Sequence, residues 1–316
     1  MSTADRTIGW VGAGRMGSAM VQRLLDRGCD LAVYNRTRSK LDPLVEAGAK
    51  PVDALSELAG RDIVFVTVGS SDDLLAVLGA KGGLLDAGSV PSVVVDCSTV
   101  SAEASAEARA LAAARGSALL AAPVSGNPKV VAAGLLTMAV SGPRDAFDVA
   151  EPFLDMIGNG VTYVGEGEVA RLVKICHNLF LGVVIQSLAE IVVLAEKGGV
   201  RRQDLLAFVN DSVMGSLFTR YKTPALVNLD FTPTFTTKLL RKDFDLGLAA
   251  ARESGVAMPV AALVQQLVQA GIGEGIGDVD FAALIQLTAR AAGLELASED
   301  ALVADGLSAG RRAAGT

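Results

Sequence analysis

Histidine is nearly missing from this chain of 316 residues: there is one, His177, beside three cysteines, Cys29, Cys97 and Cys176. With no C-x-x-C spacing and a single imidazole, a His/Cys zinc cage cannot be assembled, and an odd cysteine count makes no disulfide scaffold. Aromatic residues are scarce at 4%, so Ala, Val, Leu and Gly must build the core. Charged residues make up 20% against 51% hydrophobic, a balance that excludes general disorder. Positive charge is the sign in deficit: 28 Lys and Arg against 35 Asp and Glu give a net charge of −7 and a pI near 4.9. A nucleic-acid binder needs a basic face, so no nucleic-acid partner is expected. Met1–Arg6 runs straight into an apolar strand pattern with no signal-peptide layout. Mean hydropathy is high at +0.42, yet the most apolar segment, Leu179–Ala195, is interrupted by Gln186 and Glu190. A membrane span needs about 20 apolar residues without that cost. A buried helix of a cytoplasmic protein with no membrane partner is expected.

What is present is a regular alternation. Thr7–Val11, Leu31–Tyr34, Ile63–Val68 and Val93–Asp96 read as strands, with helical stretches such as Met16–Arg27 and Ala102–Arg115 between them. Near-continuous Val/Ile runs separated by helices predict a parallel sheet covered on both faces, completed by Leu136–Val140 and Val161–Val164. After Gly167 the pattern turns helical. Glu168–Lys197 keeps helical spacing until Gly198-Gly199 stops it, and Arg202–Val209, Leu239–Glu253, Val260–Ala270 and Phe281–Ala292 follow. The length predicts two domains. We expect an α/β doubly wound N-terminal domain over 1–166, an all-helical C-terminal domain over 167–296 joined by the long helix, and a loosely ordered tail over 297–316. A helix of that length spans about 45 Å, more than one small domain covers, so a homodimer or homotetramer is expected.

Gly12-Ala13-Gly14-Arg15-Met16-Gly17 matches G-x-G-x-x-G. The pattern alone is weak, but here it follows a strand and opens a helix, the context that confirms a dinucleotide-binding turn. Gly12 permits the tight turn, Gly14 lets a pyrophosphate approach, and Gly17 lets helix and sheet pack closely. The helix N-terminus adds N–H groups and partial positive charge for the phosphates. At the end of the second strand, where an NAD-selective site carries Asp or Glu, stand Asn35, Arg36 and Thr37, with Arg38 and Lys40 beyond. A guanidinium there pairs with a 2′-phosphate and no neighbouring acid repels it, which favours NADP(H) over NAD(H).

Further segments carry a family resemblance over nearly the whole chain, from Gly12 to about Leu294. Gly12–Gly17 is similar to G-x-G-x-M-G, Asp96-Cys97-Ser98-Thr99 to D-x-S-T, Ala122-Pro123-Val124-Ser125-Gly126 to A-P-V-S-G-G, and Lys174-Ile175-Cys176-His177-Asn178 to a K-x-x-x-N helix. Arg241-Lys242-Asp243 looks like a further K-D pair. Together they resemble the β-hydroxyacid dehydrogenase family, with a K-x-x-H-N helix similar to that of 6-phosphogluconate dehydrogenases. The resemblance implies a Rossmann-type domain, cofactor contacts from Val68, Gly69, Thr99 and Lys242, and a small carboxylate substrate held by Ser125, Gly126 and Asn127. The chain departs from the pattern at Asn127-Pro128, where a second glycine is usual and Pro128 removes an N–H donor. Asn tolerates positive φ, so the loop shape is expected to survive.

Transfer of a hydride between nicotinamide and a hydroxyl or carbonyl carbon requires one acid/base group beside the oxygen. Lys174 is the candidate, and Asn178, four residues on, shares its helix face. Arg171, three residues before, is expected on the same stripe, depressing the lysine's pKa. His177 is divided between a substrate contact and a hydrogen bond within the cleft. The expected activity is an NADP-dependent reductase, reversible as a dehydrogenase, for a small β-hydroxyacid or semialdehyde. The alternatives are an imine reductase, which Lys174 disfavours, and a non-catalytic NADPH-binding protein.

Overall fold

The computed structural model describes residues 6–86 and 88–307. Residues 1–5, at the start of the segment without a signal-peptide layout, and 308–316, at the end of the expected tail, lie outside the described residues. By compactness the chain divides into two units, Met1–Lys174 and Ile175–Thr316.

The first unit runs β1 (Ile8–Val11), α1 (Arg15–Leu25), β2 (Leu31–Tyr34), α2 (Asp42–Glu46), β3 (Lys50–Pro51), β4 (Ile63–Val66), α3 (Ser71–Gly79), β5 (Val93–Asp96), α4 (Ala102–Ala114), β6 (Ala118–Ala121), β7 (Val124–Ser125), α5 (Pro128–Ala132), β8 (Thr137–Ser141), α6 (Arg144–Ile157) and β9 (Gly160–Gly165). The sheet order is β3-β2-β1-β4-β5-β6-β8-β7, with β9 paired to β8. The run from β3 to β6 is parallel. Two-residue alternation sends Ile8, Trp10, Val33, Phe65 and Val95 into one core with α1 and α6. Val11, Ala32, Val64, Val66 and Val94 face the opposite core with α3 and α4. Burial on both faces is why these strands read as unbroken apolar runs.

The sheet is not wholly parallel, as the sequence led us to expect: β8 runs antiparallel to both β6 and β7. Nor did the sequence show β6. Its Ala-Leu-Leu-Ala lacks β-branched residues and follows an alanine-rich helix, so local propensity favours helix. Gly116, at φ +75°, ends α4, and the next residues then pair with β5.

The long helix α7 (Val169–Lys197) crosses the division, and its later turns belong to the second unit with α8 (Arg202–Asp211), α9 (Leu217–Asn228), α10 (Thr237–Glu253), α11 (Pro259–Gly273) and α12 (Leu284–Ala291). By length and composition α7 could cross a bilayer, but half of its most apolar stretch is packed inside the protein. Gln186 on it is buried and donates to Glu190. Two helical glycines set the approach of α7 and α10. A Cβ on Gly182 would lie 2.4 Å from the Phe244 ring, and one on Gly247 would lie 2.5 Å from Leu179. The described part of the expected loose tail, 297–307, has no helix or strand but is tied down. Arg202, fully buried, donates to the carbonyls of Val227 and Ala297 and to Glu196. Glu299 accepts from the N–H groups of Arg202 and Gln203 at the start of α8. Asn228 bonds both the carbonyl and the N–H of Ala301.

Candidate active site

The glycine turn joins β1 to α1 where the sheet order reverses between β1 and β4, the place where open α/β sheets bind dinucleotides. Gly12 has φ +98°, and a Cβ there would sit 2.0 Å from the Thr67 carbonyl. At Gly17 a Cβ would lie 2.0 Å from the Gly12 carbonyl. Gly14 is different, because a Cβ there would meet nothing among the described residues within 4 Å. Packing therefore requires the first and third glycines, whereas the second leaves space for something that is not protein. That space opens on a cleft of about 330 Å³ lined by Val11, Gly12 and Gly14, by Asn35, Arg36, Thr37 and Lys40, by Thr67, Val68 and Gly69, and by Asp73 on α3. Thr67 also lines it, and among the described residues its buried hydroxyl oxygen has no partner. The open cradle at Gly14 fits a nucleotide's phosphates.

The cleft thus gathers seven of the expected cofactor residues. Asn35 also acts within the chain, since its Oδ1 accepts from the Ala13 N–H at 2.8 Å and its Nδ2 donates to the Thr37 carbonyl at 2.7 Å. The side chain braces the turn, and the Ala13 N–H is already used. Met16 packs partly buried against the core, while Arg15 and Thr99 are exposed. None of these, nor Ala13 or Gly17, lines the cleft. Asp73 brings an acid to which the sequence pattern does not point. Its Oδ1 accepts from Arg36 Nη1 at 3.3 Å.

The D-x-S-T segment ends β5. Asp96 is fully buried, and Ser98 Oγ accepts from the Val68 N–H at 2.9 Å. Arg171, in the first turns of α7, turns toward this segment. Its Nη2 meets Asp96 Oδ2 at 2.5 Å, Nη1 donates to the Ser98 carbonyl at 2.5 Å, and Nε to Ser105 Oγ at 3.2 Å. The guanidinium is thus paired with a buried carboxylate and ties the first turns of α7 to the end of β5. Glu168, just before this helix, pairs with Arg109, which also donates to the carbonyls of Leu119 and Gly167.

In the expected carboxylate loop, Ser125 closes β7 and Gly126 takes φ +143°, with any Cβ within 2.8 Å of Val130. Asn127 does not adopt positive φ as expected. It sits extended at φ −116° and caps α5, its Oδ1 accepting from the N–H groups of Lys129 and Val130. Pro128 is then the first helical residue, where a missing N–H costs nothing. The side chain of Asn127 is committed to this cap.

On α7, Lys174 is half-buried and Asn178 is 5% exposed. Asn178 Nδ2 donates to Asp243 Oδ2 on α10 at 2.5 Å, and its Oδ1 lies 3.0 Å from His177 Nδ1. An amide oxygen can only accept, so His177 donates from Nδ1. The close approach of α7 and α10 at Gly182 and Gly247 brings Asp243 to Asn178. Isolated glycines inside helical patterns were the available signal for this contact. Lys242, beside Asp243, is exposed.

Residues 7–165 match the family model described as the NAD binding domain of 6-phosphogluconate dehydrogenase, and 165–288 match the one described as NAD-binding of NADP-dependent 3-hydroxyisobutyrate dehydrogenase. The chain belongs to the β-hydroxyacid dehydrogenase family. It is an oxidoreductase with an NAD(P)-binding Rossmann-type domain, acting at family level on 3-hydroxyacids or semialdehydes. Among relatives, the chloroplastic glyoxylate/succinic semialdehyde reductase 2 of Arabidopsis thaliana is 32% identical over 89% of this chain and 78% of its own length. An NAD-dependent L-serine dehydrogenase of Pseudomonas aeruginosa is 29% identical over 89% of this chain and 97% of its own. Among solved structures, a 3-hydroxyisobutyrate dehydrogenase from Salmonella typhimurium superimposes with a TM-score of 0.79 at 26% identity, over 90% of this chain and all of that one.

Proposed function

We propose that this family member is an NADP(H)-dependent reductase, reversible as a dehydrogenase, of a small carboxylate bearing a semialdehyde or β-hydroxyl group. The observation that carries the cofactor reading is the cleft's outer wall. Arg36, Thr37 and Lys40 line it at the end of β2 with no acid of that segment among them, and a guanidinium with an ammonium suits a 2′-phosphate. The NAD-dependent relative makes this a property to be measured on this chain.

When bound, the reduced nicotinamide supplies a hydride to the carbonyl carbon. Lys174 then gives a proton to the carbonyl oxygen, forming the hydroxyl, and takes it back in the oxidative direction. Asn178 lies one helical turn on, with its amide orientation fixed by Asp243 and His177. Neutral itself, it steadies the substrate oxygen without cancelling the lysine's charge. Ser125 and the loop at Gly126 receive the carboxylate through a hydroxyl and backbone N–H groups.

The test is NADPH oxidation, with NADH in parallel, across glyoxylate, succinic semialdehyde, tartronate semialdehyde and methylmalonate semialdehyde, for wild type and Lys174→Ala. Removing a general acid costs about 10²–10⁴-fold in kcat, while the dissociation constant of NADPH should be unchanged. A Lys174→Ala protein of full activity removes this mechanism. A wild type that binds NADPH but is inert toward every carbonyl favours a binding protein.

A further inference from the structure

The cofactor cleft contains a carboxylate that hydride transfer does not require. Asp73 lies in the first turn of α3 and lines the cleft that Arg36, Thr37 and Lys40 also line. It is held at both ends. Oδ2 accepts from Ser70 Oγ at 2.9 Å, while Oδ1 accepts from Arg36 Nη1 at 3.3 Å. The two partners follow different strands, β2 and β4, which flank β1 in the sheet order β2-β1-β4. The first turn of α3, where the dipole favours an acid and the N-cap Ser70 stands three residues before it, accounts for the bond to Ser70. It does not account for a bridge to Arg36 on another segment of the cleft wall.

We infer that Asp73 is a specificity-determining counterweight to Arg36, setting the ratio in which the cleft takes the 2′-phosphorylated and the unphosphorylated dinucleotide. The inference rests on the reading of this cleft as the cofactor site. The end of β2 is where this fold meets the adenosine ribose. A 2′-phosphate there carries close to two negative charges and must compete with Asp73 for the guanidinium while being repelled by the carboxylate. A 2′-hydroxyl is a hydrogen-bond donor, which a carboxylate accepts and a guanidinium cannot. Arg36 thus favours the phosphorylated cofactor and Asp73 the unphosphorylated one. A cleft with both accepts either, with a preference smaller than Arg36 alone would give.

Asp73→Asn tests this. The amide keeps the shape and can still accept from Ser70 Oγ, but it loses the charge. Equilibrium dissociation constants for NADPH and NADH are measured by titration calorimetry at low and at high salt, on wild type, Asp73→Asn and Arg36→Ala, with thermal unfolding as the check on folding. Asp73→Asn should bind NADPH about fivefold tighter at low salt and NADH more weakly, and the NADPH gain should shrink as salt screens the charges. Arg36→Ala should move the ratio the opposite way. Unchanged constants in a folded Asp73→Asn protein, or weaker NADPH binding, overturn the inference while leaving the cleft's assignment standing. A wild type that binds neither dinucleotide overturns both.

Discussion

Arg171 is the place where breaking one interaction tests how the first turns of α7 are held to the nucleotide-binding sheet. The side chain is 4% exposed and its partner Asp96 not at all. Arg171→Met keeps most of the stem's volume but removes the contacts to Asp96, Ser98 and Ser105. Asp96 would be left with the Ser98 N–H at 2.9 Å as its other bond. Removing one partner of a buried pair costs about 3–5 kcal/mol, because the stranded charge loses water as well as its counterion. For a cooperative unit of about 150–250 residues each kcal/mol lowers the midpoint by about 2–4 °C, so the first unit's thermal transition should fall by about 10 °C. The assay is calorimetry on Arg171→Met, Asp96→Asn and the double variant. The double variant should recover much of the loss, since it strands no charge. A fall of less than about 2 °C in Arg171→Met, or a double variant no better than the worse single, would refute the view of this pair as the buttress of α7.

Three further outcomes follow from other contacts. Gly12→Ala should unfold at markedly lower temperature, since its Cβ would meet the Thr67 carbonyl at 2.0 Å; Gly14→Ala should melt like wild type yet bind dinucleotide more weakly, and equal melting of the two would be inconsistent with that division of roles. In the helical unit, burial raises the Asp280 pKa, but the Lys222 ammonium and the bonds from Lys222, Thr234 and Ala282 outweigh it and hold the group below the ordinary carboxylate range. A depressed folded-state value contributes stability above the unfolded value of about 4, lost as pH falls through the lower folded value; the melting temperature of Asp280→Asn should therefore vary less with acid than that of wild type, and parallel curves would count against it. Truncation after Leu296 removes the Ala297 carbonyl and the Glu299 carboxylate from Arg202 and α8, and should lower the unfolding midpoint by several degrees; an equally stable truncated chain would show that the residues after Leu296 add no stability.

What the sequence disclosed and what it withheld differ by the range of the interaction involved. The turn at Gly12–Gly17 was legible because steric need and phosphate approach act within one strand–turn–helix unit, and three glycines at fixed spacing record them. The Val/Ile strands were legible for the same reason, each being buried on both faces over four residues. β6 was not, because Ala-Leu-Leu-Ala becomes a strand only through its partner β5. The charge partners were hidden in the same way. Arg36 lines the cleft, but its acid, Asp73, is 37 residues away and reaches it only because β2 and β4 flank β1. Arg171 was read against Lys174, three residues on in its own helix, whereas its carboxylate is 75 residues back at Asp96. In a low-dielectric interior a buried guanidinium is governed by the nearest opposite charge, and the sheet, not the helix, provides it. Asn178 and Asp243, 65 residues apart, depend in turn on Gly182 and Gly247, which carry no chemistry of their own. The residue types of this site are therefore recorded in local motifs, while the electrostatic partner of each is set by topology, and substitutions at Asp73, Asp96 and Asp243 are where that dependence can be measured.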